Sequence, residues 1–280
     1  MLYDFRAFFI VFLTGFFFSC GSSVEGSRGS ESTSTRIEST LIQEILDSAH
    51  LKGAVLIYDE EKSRYYSNDF EWASTGHLPA STFKIPNSIV ALESGVVEGL
   101  TSVFLWDGNE RSFKVWERDL TFKEAFQVSC VPCYQEIARK VGFGTMRTYL
   151  DTLDFGEMRF DTATLDQFWL QGQSRISQFE EIDFLVRLVH GRLPILERTV
   201  VLLKEMMLIE DNPSYALRGK TGWSISNETN NGWFVGYLEA NNSRFFIATN
   251  VEPCPNFDMD KFAKVRIEVT IAALRGLAFL

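Results

Sequence analysis

Strand-like segments lie near both ends of this chain and helix-like segments fill its middle, and that division constrains the fold more than any other feature. Residues 53–58 (GAVLIY) form a short apolar run that meets 64–67 across a polar 59–63, which reads as a hairpin. Apolar positions Leu41, Ile42, Ile45 and Leu46 predict a short amphipathic helix just ahead of it. Helical patterns follow over 82–93, 122–128, 134–141, 146–153, 178–190 and 199–209. Strand patterns return at 215–220, 232–238 and 244–251, and 262–275 closes the chain as a helix. The expected fold class is α/β: a mixed lobe with a central antiparallel sheet flanked by terminal helices, and a helical lobe inserted into it. A cleft between the lobes is the natural ligand site.

The rest of the composition narrows the chemistry. With 280 residues, 45% hydrophobic and 23% charged, the chain can bury a large core. Its formal net charge of −10, with no long basic run, argues against nucleic acid as a partner. The three histidines, His50, His77 and His190, have no metal-ligand spacing, so no metal site is expected. None of them sits where a Ser-His-Asp hydrolase would need it. Hydrolytic chemistry here must run without histidine. Nothing in the sequence specifies a subunit count.

The amino terminus reads as an address. Residues 7–18 (AFFIVFLTGFFF) are an unbroken apolar run after Arg6, too short to span a bilayer but suited to a secretory signal. Cys20 follows directly, and the chain then turns Ser/Gly/Thr-rich. This pattern resembles a bacterial lipoprotein processing site, with a signal peptide over 1–19, a flexible tether over 20–38 and the folded domain over 39–280. Lipidation of Cys20 would anchor the protein to a membrane; an ordinary signal peptide with an incidental Cys20 is the other reading. Both export the folded part, to the periplasm. Of the remaining cysteines, Cys130 and Cys133 are expected to be small buried residues lining a helix, with no essential disulfide, and Cys254 is expected to be structural.

Three short elements carry the chemistry: Ser81-Thr82-Phe83-Lys84, Ser129-Cys130-Val131 and Lys220-Thr221-Gly222. A Ser-x-x-Lys arises about once by chance in a chain of this size, whereas Lys-Thr-Gly has an expected count of roughly 0.1. Their joint occurrence in this order is the informative signal. Ser81 sits at a helix start, where free N–H groups and the helix dipole favour a developing oxyanion. Lys84, one turn on, shares its face and is the base within reach of the hydroxyl. An ammonium cannot accept a proton, so Lys84 must be altered, either by burial or by adding carbon dioxide to its neutral amine.

The segment Pro79-Ala80-Ser81-Thr82-Phe83-Lys84-Ile85-Pro86-Asn87-Ser88 resembles the signature of class D β-lactamases, the oxacillinases. The likeness continues through Trp106-Asp107-Gly108, Phe168-Trp169-Leu170, the stretch from Leu217 to Trp223 and the stretch from Gly232 to Tyr237. It implies a small-molecule β-lactam substrate, a β-lactamase/transpeptidase-like fold, Ser81 as nucleophile and an N6-carboxylated Lys84 as base. No cofactor is implied beyond carbon dioxide or bicarbonate for that modification. By the same resemblance Trp169 holds the carbamate through its indole N–H, and Ser129 relays a proton to the leaving nitrogen. Lys220 and Thr221 would lie on an edge strand with Gly222, and the N–H groups of Ser81 and Trp223 would form the oxyanion hole. Val131, Leu170, Thr221, Gly222, Trp223 and Arg266 are expected around the substrate. The chain departs from the family at Phe155-Gly156-Glu157, where a Tyr-Gly-Asn element is usual. A DD-transpeptidase or carboxypeptidase, and a β-lactam sensor that stays acylated, are the competing readings.

Overall fold

The computed structural model describes Ser34–Leu280 with the exception of Asn227. The apolar run over 7–18, Cys20 and most of the expected tether lie outside the described residues. The chain opens with β1 (Thr35–Glu38), α1 (Thr40–Ser48), β2 (Leu51–Asp59), β3 (Arg64–Ser67) and α2 (Phe70–Ser74). The middle holds α3 (Lys84–Glu93), the two-residue strands β4 (Val103–Phe104) and β5 (Leu120–Thr121), α4 (Phe122–Gln127), α5 (Val131–Val141) and α6 (Phe143–Leu153). It continues with α7 (Gln178–Val189) and α8 (Glu197–Met206). The chain ends with β6 (Leu208–Asp211), β7 (Tyr215–Ser226), β8 (Thr229–Ala240), β9 (Ser243–Pro253) and α9 (Met259–Gly276).

Seven strands form one sheet in the order β1-β3-β2-β9-β8-β7-β6. All neighbours are antiparallel except β1 and β3, so early strands join late ones through the β2–β9 pair. The central strands are buried on both faces, which is why they read as continuous apolar runs rather than alternating ones. Successive residues still divide between the two faces at period two. Leu56, Trp233, Val235, Tyr237 and Ala248 join a core shared with the helical lobe, while Val55, Ile57, Phe234, Leu238 and Ile247 pack on α1 and α9.

Four expectations are corrected. The strand β1 occupies the end of the stretch read as tether: Ser/Thr composition there conceals parallel pairing with β3 from Thr35 onward. The helix read over 199–209 stops at Met206, and Leu208–Asp211 turns back as β6. Cys130 and Cys133 are joined in a disulfide. Pro132, in the first turn of α5, makes Cys130 the cap rather than a helix-lining residue, and its side chain turns back over the Cys133 N–H. Finally, β7 is not the sheet edge along its whole length. The short β6 covers Ala216–Arg218 only, and the Gly219 N–H reaches Met207 O at 2.8 Å, so β7 runs without an outer strand partner from Lys220 onward.

Candidate active site

Ser81 lies in a 3-10 turn, Ala80–Phe83, that leads directly into α3. Ala80, fully buried at φ +51°, holds a left-handed conformation that costs a non-glycine residue energy and persists only under outside restraint. That restraint is visible. Trp233 Nε1 donates to Leu78 O at 2.9 Å, and the Thr82 N–H donates to Pro79 O at 3.1 Å. The strand β7 closes on the same turn at Gly222, where a Cβ would lie 3.2 Å from Pro79 O and 3.3 Å from Ser81 N. Glycine there permits the approach that brings the Thr221–Trp223 backbone beside the hydroxyl.

The Lys84 amine is fully buried, 2.9 Å from Ser81 Oγ and 5.1 Å from the centre of the Tyr134 ring. Burial, with no carboxylate paired to it among the described residues, pushes its pKa down to about 7. A large share of the lysine is therefore neutral near pH 7, and a neutral amine can accept the Ser81 proton across the same contact. Tyr134 cannot serve as a base: burial pushes its phenol upward, and its hydroxyl pairs with Ser88 Oγ at 2.7 Å.

A second amine faces this pair. Lys220, on β7, donates to Ser129 Oγ and to Thr221 O, each at 2.9 Å. Burial, then the positive charges of Lys84 and Arg266, hold its pKa well below the usual lysine range. Ser129 itself sits at φ +57°, one residue before the disulfide-linked cap of α5. Both serines of the site are thus presented from left-handed kinks next to helix starts, Ala80 before one and Ser129 itself at the other.

A cavity of about 390 Å³ joins these groups; Ser81, Ser129, Val131, Thr221, Gly222, Trp223 and Arg266 line it, with Phe113, Val115 and Ile225 at an apolar rim. Lys84 and Lys220 stand behind the two serines rather than on the wall. Arg266 is buried, and its guanidinium donates to Phe262 O at 3.1 Å, to Ala263 O at 2.9 Å and to Gly222 O. Burial lowers its pKa to about 10, so it remains cationic. A Cβ at Gly232 would fall 2.6 Å from Arg266 Cδ, so this glycine makes the room the arginine occupies. A larger depression of about 930 Å³ opens at the opposite end of β7 and β8, between Glu61, Asp211 and Glu239, and contains none of this chemistry.

Besides these two lysines, two further expected residues are not on the wall. Trp169 is fully buried, stacked on Phe83 with ring centres 5.0 Å apart, and its indole N–H has no partner among the described residues. Leu170 packs on the core of the helical lobe and does not line the cavity. At the departure from the family pattern, Phe155 is buried edge-on to Phe184 at 4.8 Å, and Glu157 bonds Arg175 through backbone. The Phe155 ring thus belongs to the core, and this stretch contributes no polar group to the cavity. Thr82 and Glu181, 2.6 Å apart behind the turn, escaped the sequence reading, because a glutamate in an amphipathic helix carries no distinguishing signal.

Comparison with known proteins fits this geometry. Residues 50–265 match the penicillin binding protein transpeptidase domain. The chain is 41% identical to β-lactamase OXA-48 of Klebsiella pneumoniae over 201 residues, covering 72% of this chain and 76% of that protein. The chain belongs to the class D β-lactamases. Similarity to β-lactamase OXA-3 of Pseudomonas aeruginosa, at 32% identity, spans 98% of this chain and 94% of that one. Among solved structures, the class D β-lactamase YbXI from Nostoc superposes with a TM-score of 0.81 at 40% identity, covering 85% of this chain and 99% of its own. That from Sebaldella termitidis gives 0.81 at 31% identity, covering 89% and 100%.

The depressed lysine makes stability depend on pH in a definite direction. Between pH of about 7 and 10.5 the unfolded chain holds a proton on Lys84 that the folded chain lacks, so this residue's contribution to stability rises with pH across that window. In bicarbonate-free urea titrations, the stability of the wild type relative to Lys84→Met should rise by about 1.4 kcal/mol per pH unit there. A difference independent of pH would contradict the buried, neutral amine.

Proposed function

We propose that this class D β-lactamase hydrolyses the β-lactam amide through an acyl-enzyme on Ser81, with an N6-carboxylated Lys84 as general base. The observation that carries the reading is the fully buried Lys84 amine at 2.9 Å from Ser81 Oγ. Two features favour the carboxylated form. A neutral amine is the species that reacts with carbon dioxide, and Trp169 offers a buried N–H donor lacking any acceptor. The carboxylate would supply an anionic oxygen base that an ammonium cannot. It would also change the electrostatics of Lys220, whose proton is disfavoured first by burial and then by the charge that Lys84 carries when protonated. Opposite an anion, Lys220 would hold its charge and could orient Ser129 as a donor.

In this scheme Ser81 loses its hydroxyl proton toward Lys84 as its oxygen bonds the lactam carbonyl carbon. The Ser81 and Trp223 N–H groups receive the developing oxyanion, and the approach at Gly222 sets their spacing. As the carbon–nitrogen bond breaks, Ser129 passes its proton to the leaving nitrogen and recovers one through Lys220. The substrate carboxylate meets Lys220, Thr221 and Arg266. Water then takes the place of the amine, gives up its proton on the Lys84 side, and releases Ser81.

Export is part of the same proposal. The apolar run over 7–18 and the disulfide between Cys130 and Cys133 support an oxidising compartment, since such bonds are rare in reducing ones. Cys20 would carry the lipid anchor. Metabolic palmitate should label the wild type and not Cys20→Ala; an unlabelled wild type that fractionates as soluble would leave a plain signal peptide.

Turnover distinguishes the hydrolase from a sensor or transpeptidase. Wild-type protein should open many equivalents of a chromogenic cephalosporin. Lys84→Ala should accumulate a mass adduct on the Ser81 peptide, with kcat down by at least about 100-fold, the usual loss on removing a general base. A single equivalent of ring opening by the wild type, or an adduct on another peptide, would contradict the assignment.

A further inference from the structure

Helix α7 passes behind the nucleophile turn and presents two buried polar side chains one turn apart. Its start is set by a capping box, in which Ser177 Oγ accepts from the Glu180 N–H at 3.2 Å and Glu180 Oε2 accepts from the Ser177 N–H at 2.7 Å. Gln178 then pins the helix to the sheet, donating to Ala54 O at 3.0 Å and to Ala248 O. Glu181, at i+3 on the same side, is fully buried. Its Oε1 lies 2.6 Å from Thr82 Oγ1, and its Oε2 has no partner among the described residues. Thr82 Oγ1 is also 2.8 Å from Pro79 O.

Counting protons decides how this cluster is charged. The Thr82 hydroxyl has one hydrogen and lies within bonding distance of two oxygens. Pro79 O can only accept. If Glu181 were a carboxylate, it too could only accept, and one of the two contacts would be an unbonded approach of oxygens. A carboxylic acid resolves both: Glu181 donates to Thr82 Oγ1, and Thr82 donates to Pro79 O. The other carboxyl oxygen is then an uncharged carbonyl, whose burial without a partner costs far less than that of an anion.

We propose that Glu181, as the neutral carboxylic acid, is a positioning residue for Ser81: the chain Glu181 to Thr82 to Pro79 O braces the strained Ala80 turn from behind, on the side opposite the cavity. This rests on the reading of Ser81 as nucleophile. Burial raises the Glu181 pKa to about 8, consistent with the proton count. Among the described residues, the elements packed on α7 carry ionisable groups on α2 (Glu71), β2 (Lys52, Tyr58, Asp59), β8 (Tyr237, Glu239) and β9 (Arg244, Glu252). Glu180, on its own helix, acts on it by like charge. His77, bonded through backbone to Ile176 just ahead of α7, and Lys84, which starts α3, are the titratable groups on either side of the turn. Ionisation of Glu181 would remove the donor from Thr82 and place an anion behind the nucleophile.

The test compares kcat against pH, in saturating bicarbonate, for the wild type, Glu181→Gln and Glu181→Leu. The glutamine can donate the same bond from Nε2 and does not titrate. Its kcat should stay within about threefold of wild type at pH 7, and the ratio of variant to wild type should climb above pH 8, toward tenfold per unit. The leucine, which cannot donate, should lose tenfold or more in kcat with KM little changed; if it fails to fold, the glutamine profile decides alone. Profiles of wild type and Glu181→Gln that superimpose, or a folded Glu181→Leu with wild-type kcat, would overturn this role while leaving Ser81 as nucleophile. A wild type that neither acylates nor turns over would instead overturn the reading of Ser81, and this proposal with it.

Discussion

A lysine amine sealed in an apolar setting 2.9 Å from a serine hydroxyl, with no acid among the described residues to neutralise it, is the contact on which the rest of this structure turns. Elsewhere a buried lysine would be a liability, because desolvation penalises the ammonium by several kcal/mol. Here the penalty holds the side chain near its neutral point and leaves a potential proton acceptor beside the Ser81 hydroxyl. The packing around it follows from that need. Tyr134 presents its ring rather than its hydroxyl to the amine, and Phe83, in the same turn as Ser81, leads to the stacked Trp169.

The sheet contributes the second half of the site through one strand. Because β6 ends before Lys220, the outer side of β7 is free of strand pairing where it meets the helical lobe. Gly222 then lets this stretch approach the Ser81 turn, and Arg266 holds the Gly222 carbonyl from the α9 side. The same strand therefore carries Lys220 to Ser129 and the Trp223 backbone toward Ser81. Two left-handed non-glycine residues, Ala80 and Ser129, are held at the junctions: the first by Trp233 from β8 and by the Thr82 contacts within its own turn, the second by Lys220 from β7.

How much of this was legible in sequence depended on whether the information was local. Ser81 and Lys84 lie one helical turn apart, so their contact follows from spacing, and Lys220-Thr221-Gly222 is rare enough to mark itself. The two-lobe architecture was readable because strand-like segments lie near both ends of the chain and helix-like segments fill its middle. Trp169 entered through resemblance alone; its link to the site runs through a ring stack that no spacing encodes. The disulfide was hidden because Cys-x-x-Cys was read as helix-lining, whereas Pro132 shifts the first cysteine to the cap. Strand β1 was hidden by its composition, and β6 by the apolar pattern of α8 running on into it. Glu181 was invisible because its significance arises only when α7 crosses behind a turn ninety-nine residues earlier in the chain.

The chemical state of Lys84 decides the mechanism. The direct measurement is a carbon NMR spectrum of the full protein after addition of ¹³C-labelled bicarbonate. A carbamate signal should appear in the wild type, vanish in Lys84→Ala, and require more bicarbonate in Trp169→Phe, where the unpartnered donor is gone. A fully active wild type with no such signal at any bicarbonate concentration would show that Lys84 works as a free amine and contradict the central claim.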